Sequence, residues 1–324
     1  MEIPAGKSLM KISIVTPVLN GERYIAETIL SVFSQKGDFE IEYIIVDGGS
    51  TDRTLEIISG FQKLLDGRLF PTQCRNITLT SISEKDSGMY AAINKGFSLA
   101  TGDIYAWINA DDLYLPGAFS SLSRIFQAFP DVTWAKGITS YIDALSRITK
   151  PGKCLIYNQE WLKDGVYGRE LYFVQQDSTF WREGLWKTVG GIPSQWNLAG
   201  DYWLWTAFAR EVPLYSIDAH VSCFRRTKDQ LSTDIRPYHQ EVRTISLNLN
   251  TRHKVLTTYL AFEPYFSRRI RTFLHRFLFG RQMYHLITVN SNAEFVIKDG
   301  EYYEILSHLA MNENAYNELS LSIY

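Results

Sequence analysis

Ile104-Tyr105-Ala106-Trp107-Ile108-Asn109-Ala110-Asp111-Asp112-Leu113-Tyr114-Leu115-Pro116 is the stretch on which the reading of this chain turns. A strand-like run, Ile104 to Ile108, delivers an amide and two carboxylates into a turn that ends at a proline. A hard divalent cation takes oxygen ligands, and such a turn exposes them where a bound diphosphate could complete the coordination shell. The same residues also suit a helix cap, so the turn alone leaves both readings open.

Upstream, Lys11 to Thr16 reads as a strand closed by Pro17, and Tyr24, Ile25, Thr28, Ile29, Val32 and Phe33 recur with helical spacing. Tyr43 to Val46 is the next strand. Two short apolar runs separated by one amphipathic helix predict a right-handed βαβ unit with parallel strands. The unit repeats: Asp47-Gly48-Gly49-Ser50 makes a turn, Ser50 or Asp52 caps a helix through Ile58, and Ile77 to Ile82 forms a third strand. A helix over Tyr90 to Leu99 leads into the strand before Asp111. The first ~115 residues therefore predict an α/β fold, a Rossmann-like open sheet flanked by helices, with ligands beyond the carboxyl ends of the strands. Asn20, Asp47 and Asp111 fall at those ends.

Downstream, the chain from Pro130 to Phe224 is aromatic and less regular, with Trp161, Trp181, Trp186, Trp196, Trp203 and Trp205, and predicts mixed strands and helices. A helix over Asp201 to Ala209 follows the glycines Gly190, Gly191 and Gly200. Past about Pro237 the pattern turns helical and basic. The expected organisation is a domain over residues 1–236, with halves at about 8–115 and 116–236, and a helical, basic extension over 237–324.

The 324 residues are 45% hydrophobic, and 33 basic residues nearly balance 35 acidic ones, leaving a formal net charge of -2. Nothing in that balance asks for nucleic acid, and a charged partner must use a local patch. Cys74, Cys154 and Cys223 are odd in number and lack C-x-x-C spacing, which favours a reducing compartment. The start, MEIPAGKSLMK, lacks the apolar core of a signal peptide. No segment approaches the roughly 20 apolar residues of a membrane span. The expected location is cytoplasmic.

The ordered set TPVLNGERYIAETILSVFSQ, YIIVDGGSTDRTLEII, SEKDSGMYAAINKGFSLATGDIYAWINADD, DSTFWREGLWKTVGG and AGDYWLWTAFA closely resembles the family 2 glycosyltransferases with the GT-A fold. The resemblance runs to about Ser232, and five motifs in order are far more specific than any one. It implies a nucleotide-sugar donor across the ends of the first strands, a Mg²⁺ or Mn²⁺ ion on its diphosphate, and an acceptor hydroxyl that attacks with inversion. Thr16-Pro17-Val18-Leu19-Asn20 would then form a rim beside the nucleoside, with Glu22 also among the donor-binding residues. Asp47 would accept hydrogen bonds from base or ribose, and Asp86 would face the donor; the alternatives are that Asp47 caps its Gly-Gly turn and Asp86 caps the following helix. Relatives usually carry Tyr where Leu19 stands, so stacking from that position is missing here.

By the same resemblance, the D-x-D metal pattern appears as Asn109-Ala110-Asp111 with Asp112 following. Asp111 matches the metal carboxylate, Asp112 adds a second, and Asn109 departs from the pattern because its amide oxygen brings no charge. Asp201 matches the general base that takes the acceptor's proton, and its alternative is a helix cap. Arg225 and Arg226 match a loop that closes on the donor phosphates, where guanidinium groups bind bidentately. The His that many relatives carry near Thr227 is absent, as is the Q-x-x-R-W signature of processive synthases. One sugar per encounter, from a UDP-sugar to a saccharide or lipid-linked acceptor in cell-surface polysaccharide synthesis, is the implied activity.

Two other classes compete. A non-catalytic nucleotide-sugar-binding or assembly protein would suit Asn109 and the missing His, but not the retention of Asp111 and Asp201. A nucleotidyltransferase would need a Gly-rich triphosphate loop, which Asn20-Gly21-Glu22-Arg23 does not provide. In the extension, Phe266, Ile270, Phe273, Leu274, Phe277 and Leu278 share one helical face and Arg268, Arg269, Arg271, His275 and Arg276 the other. Such a helix suits an anionic membrane interface or a seat on the domain.

Overall fold

Strand β1 (Met10–Val18) is buried along almost its whole length, as a strand covered on both faces must be. In the computed structural model, which describes residues 9–169, 171–227, 235–246, 255, 258–259, 262, 265–279 and 281–309, it pairs in parallel with β2 (Phe39–Asp47) and β4 (Ile104–Trp107). Strand β3 (Asn76–Ser83) continues the parallel run beyond β2. The crossovers are α1 (Ile25–Phe33), α2 (Thr54–Asp66) and α3 (Met89–Leu99). Strand alternation sends Ile12 and Ile14 into one core with α1 and α2, and Val15 into the other with α3. Gly96 lets α3 lie close on β1, since a Cβ there would stand 2.5 Å from Val15 Cγ1.

Beyond β4 the sheet becomes mixed. Antiparallel β8 (Thr179–Arg182) joins β4 to β6 (Trp134–Ile142), and β9 (Tyr215–Arg225) lies parallel to β6. Short β5 (Leu113–Tyr114) pairs with β9, and β7 (Ile148–Lys150) with β6. Helix α4 (Ala118–Ala128) joins the first core, while α5 (Gln159–Lys163), α6 (Glu183–Val189) and α7 (Gly200–Glu211) cover the second. The tryptophans seat α7: Trp205 stacks on Trp107 at 5.5 Å with the rings 6° apart, and Trp181 meets both edge-on. That stack ties the middle of α7 to the last residue of β4, two positions before Asn109.

The residues past 237 differ from the helical expectation. Helices α8 (Ile235–Ile245) and α9 (Arg268–Phe279) form, but β10 (Met283–Val289) and β11 (Phe295–Glu301) then extend the sheet beyond β9. Tyr284 and Leu286, two apart on β10, bury with Ile156, Ile305 and Leu309, which is the period-two signal of a half-buried strand. Helix α9 also turns differently than its pattern predicts. Leu274, Leu278 and the buried His275 pack inward, while Ile270, Phe273 and Phe277 of the same apolar stripe are 47%, 67% and 76% exposed. Among the described residues no helix is long and apolar enough to cross a membrane.

Candidate active site

The loops after β1 and β2 are strapped together. Asn20, at φ 52, donates its N–H to Ser50 Oγ and accepts Thr51 N–H at 2.9 Å; Glu22 donates its N–H to Asp52 and accepts Arg53 N–H at 2.9 Å. Glu22 and Asp52 thereby satisfy donors at the start of α2 that have no partner within the helix. Thr16 and Pro17 lie buried within the sheet, with Thr16 Oγ1 bonded to Tyr43 OH, so the exposed rim expected from the sequence begins only at Leu19 and Asn20. The side chains of Thr16 and Glu22 are spent on the fold.

Asp47 ends β2, fully buried. Its Oδ2 accepts the N–H groups of Gly49 and Ser50 and the Ser83 hydroxyl, while Oδ1 is buried with no hydrogen-bond partner. Burial pushes this carboxyl up, but the Ser50 and Ser83 hydroxyls and the two N–H groups outweigh it and hold the group below its ordinary value. An ionised carboxylate with one orphaned oxygen is suited to accept from a neutral ligand donor. Asp86 turns toward the same place, with its Oδ2 3.1 Å from where a Cβ on Gly48 would lie. It accepts Gly88 N–H in a turn rather than at the cap of α3, whose N-cap is Gly88.

The turn after β4 is held by its backbone. Thr28 of α1 donates its hydroxyl toward the carbonyls of Ala110 and Asp112, each at 2.9 Å, and Arg225 Nε donates to Asp111 O at 2.7 Å. Asp111 is half-buried, and Asn109 Oδ1 is buried without a partner. Asp112 departs from the expected metal role: it is fully buried, and its Oδ1 accepts Arg225 N–H at 2.8 Å. Burial first, then the charges of Asp111 and Asp177, push its carboxyl well above the ordinary range. A carboxyl so placed resists the charged form that a cation needs. The donor set that fits a cation is thus the Asp111 carboxylate and the Asn109 amide oxygen, with no cluster of three His, Cys, Asp or Glu among the described residues.

Of the two arginines, Arg225 is also a correction. It is fully buried, bonds Asp143 O, Ser146 Oγ and Glu27 Oε2, and lies 4.1 Å from the centre of the Tyr24 ring. Its guanidinium holds the β4 turn to α1 and cannot also chelate a phosphate. Arg226 is exposed, over the Tyr141 ring at 4.1 Å.

Asp201 occupies the first turn of α7, half-buried, and Tyr90 of α3 brings it to the Asp86 end of the site through a contact of 3.2 Å. Gly200 permits that approach, because a Cβ there would stand 2.8 Å from the Tyr90 ring. Burial raises the Asp201 carboxyl to about 6, against hydrogen bonds from Tyr202 N–H and the Tyr90 and Tyr238 hydroxyls that lower it. Asp201 is not the cap of α7, which begins after Ala199.

Residues 13–166, which hold most of β1, all of β2 to β4 and the turn from Asn109 to Asp112, match the model of glycosyl transferase family 2. These residues, just under half of the chain, are similar to family 2 glycosyltransferases. Among its relatives, an uncharacterized glycosyltransferase of Nostoc sp. is 32% identical over 42% of this chain and 38% of its own length. A PGL/p-HBAD biosynthesis glycosyltransferase of Mycobacterium bovis is 29% identical over 59% of this chain and 66% of its own. The matched part therefore spans less than two thirds of these relatives. TarS of S. aureus in complex with UDP-GlcNAc superposes with a TM-score of 0.56 at 18% identity, covering 80% of this chain and 74% of that one. The mannosyltransferase PcManGT of Pyrobaculum calidifontis, solved with GDP-Man and Mn²⁺, gives 0.50 at 17% identity over 82% and 79%. The chain thus has the GT-A fold its motifs implied.

Several residues of this candidate site carry no motif signal. Thr28 reads as one more amphipathic helix position, and Tyr238 and Glu241 lie in α8, beyond the last motif. Only Glu241, four residues before Ile245 in a helix of high polarity, could have been suspected, and nothing in the sequence says what it caps.

Proposed function

We propose that this protein is a metal-dependent, inverting family 2 glycosyltransferase that moves one sugar from a nucleoside-diphosphate sugar, a UDP-sugar, to a hydroxyl of a saccharide or lipid-linked acceptor. The observation that carries the reading is Asp201, a half-buried carboxylate raised to about 6 at the same end of the sheet as Asp47 and Asp86. A base with that affinity takes a proton near neutral pH yet is mostly ionised beforehand. As the acceptor oxygen bonds to the anomeric carbon, its proton passes to Asp201, and the bond from that carbon to the diphosphate breaks with the nucleoside diphosphate leaving. Asp47 Oδ1 and Asp86 would hold the nucleoside side, and Arg226 the phosphates. Asp111 and Asn109 would hold Mg²⁺ or Mn²⁺, and a bound cation would neutralise the leaving diphosphate. The TarS complex with UDP-GlcNAc and the PcManGT complex with Mn²⁺ support the donor and metal classes.

Nucleoside-diphosphate release from a panel of UDP-sugars and GDP-mannose, with Mn²⁺ or EDTA, tests the reaction; release from none would overturn it. Calorimetry with UDP tests the metal site apart from turnover. Asp111→Ala should abolish the Mn²⁺-dependent part of UDP binding, and unchanged affinity would remove Asp111 from the site.

The exposed Ile270, Phe273 and Phe277 of α9, with the exposed Arg269 beside them, favour contact with an anionic membrane over full docking. A lipid-linked acceptor would be met there.

A further inference from the structure

Helix α7 does not cap itself. Ala199 at its N-cap has no polar side chain, and the donors before it are satisfied from another helix. Glu241 of α8 accepts the N–H groups of Asn197, Leu198 and Ala199 at 3.1, 3.0 and 2.8 Å. A carboxylate on three N–H groups at a helix start is favoured by hydrogen bonding and by the helix dipole alike. Three residues earlier on the same face of α8, Tyr238 places its hydroxyl 3.2 Å from Asp201 Oδ1. Its ring packs edge-on against Phe173 at 5.7 Å, which sets the direction of the phenol.

Tyr90 of α3 also reaches Asp201 Oδ1, at 3.2 Å, but its hydroxyl is only 2.8 Å from Leu198 O. A phenol has a single proton. At Tyr90 the shorter bond to the carbonyl competes with the carboxylate for it. Tyr238 has Asp201 as its one hydrogen-bond partner among the described residues, so its proton goes to the carboxylate alone. Tyr202 N–H adds a third bond, at 2.8 Å, again on Oδ1. No described residue hydrogen-bonds Oδ2.

We propose that Tyr238 and Glu241 are positioning residues for Asp201: Glu241 fixes the backbone ahead of α7, Tyr238 pins Oδ1, and Oδ2 is left as the oxygen that receives the acceptor's proton. The proposal rests on Asp201 being the base. The titratable groups facing the carboxylate are Tyr90 from α3 and Tyr238 from α8, while the Tyr202 hydroxyl donates to Gly165 O and Glu241 faces backbone N–H groups. Burial holds the phenols of Tyr90 and Tyr238 well above their ordinary value, so both stay neutral donors rather than proton carriers.

The test uses the full chain with ¹³C-carboxyl-labelled aspartate, and the Asp201 resonance is assigned by its loss in Asp201→Asn. Wild type should titrate at about 6. Tyr238→Phe keeps the ring and removes only the donor, so the midpoint should rise on the order of one pH unit, and Tyr90→Phe should raise it less. The acidic limb of UDP release from UDP-GlcNAc with Mn²⁺ should move with it at unchanged KM. Glu241→Ala should lower kcat several-fold at unchanged KM, and Glu241→Gln, which keeps an acceptor oxygen, should restore most of it.

An unmoved midpoint in Tyr238→Phe overturns the role of Tyr238, even if Asp201→Asn still abolishes release and the base assignment stands. A Glu241→Ala protein that melts lower but keeps its kcat would reduce Glu241 to a structural cap and overturn that half. Wild-type release by Asp201→Asn would instead overturn the base assignment, and the proposal with it.

Discussion

The two ends of this site are built in opposite ways. At the donor end Asn20, Glu22, Asp47, Asp52 and Asp86 bind N–H groups of turns that directly follow adjacent parallel strands. Pairing of β1 with β2 and β3 already brings those turns together. At the acceptor end Asp201 is held by side chains of α3 and α8, and the head of its helix by a glutamate 42 to 44 residues further on. A donor end of this kind inherits its geometry from strand pairing. The proposed base inherits its geometry from helix packing, so substitutions that never touch substrate should tune it.

The largest expected effect is at the proposed base. Asp201→Asn should lower UDP release by on the order of 10² to 10⁴. It should do so without loss of stability at pH 8, and the sign follows from linkage. A carboxyl raised in the fold to about 6 from 3.8 contributes stability at low pH that is lost as pH rises through the folded value. Asparagine never ionises, so the melting temperature of the variant should gain on wild type between pH 4 and pH 8. Calorimetry at both pH values checks this; a variant that falls further behind at pH 8 would show that the charge is accommodated, and the contrast between the ends would blur.

Next come the two arginines. Arg225→Ala removes a buried guanidinium and strands Asp111 O and Glu27, at a cost of about 3 kcal/mol, the lower end for a buried pair because Glu27 stays partly in water. Urea unfolding measures it. Arg226→Ala should leave that curve in place and weaken UDP binding, read by calorimetry. Equal loss of stability in both would mean that the second arginine is also part of the framework.

The smallest effect concerns the outer surface beyond the acceptor end. Phe273→Ser with Phe277→Ser should reduce sedimentation with phosphatidylserine vesicles while UDP release and melting temperature hold, because both rings are exposed. Deleting the region would not be a clean test, since β10 and β11 extend the main sheet. Sedimentation equal to wild type would confine α9 to packing on the domain.

Much of the donor end was legible because its signals are local. Asp47 before Gly48-Gly49, and Asp111 at the end of an apolar strand, announce carboxylates in turns, and strand order then puts them at one edge. The turn chemistry did not say which carboxylate faces out. Asp111 and Asp112 are neighbours with the same formula, and only the pairing of β5 with β9, which brings Arg225 N–H onto Asp112, buries one of them. Arg225 and Arg226 divide in the same manner, the first buried as the last residue of β9 and the second exposed just beyond it. The tail misled for a different reason: the basic helix α9 is the stronger pattern, and the seven-residue strands after it are short.

By itself the sequence determined the parallel run of β1 to β4, the crossover helices and the end of the sheet at which ligands belong, because hydrophobic period and turn residues act over a few positions. The tertiary structure alone decided which of two adjacent acids and two adjacent arginines serves the fold, which face of α9 meets the domain, and that α8 returns to hold Asp201. Those outcomes depend on contacts between segments far apart in the chain, and their free energies come from burial and hydrogen bonding that no local pattern encodes.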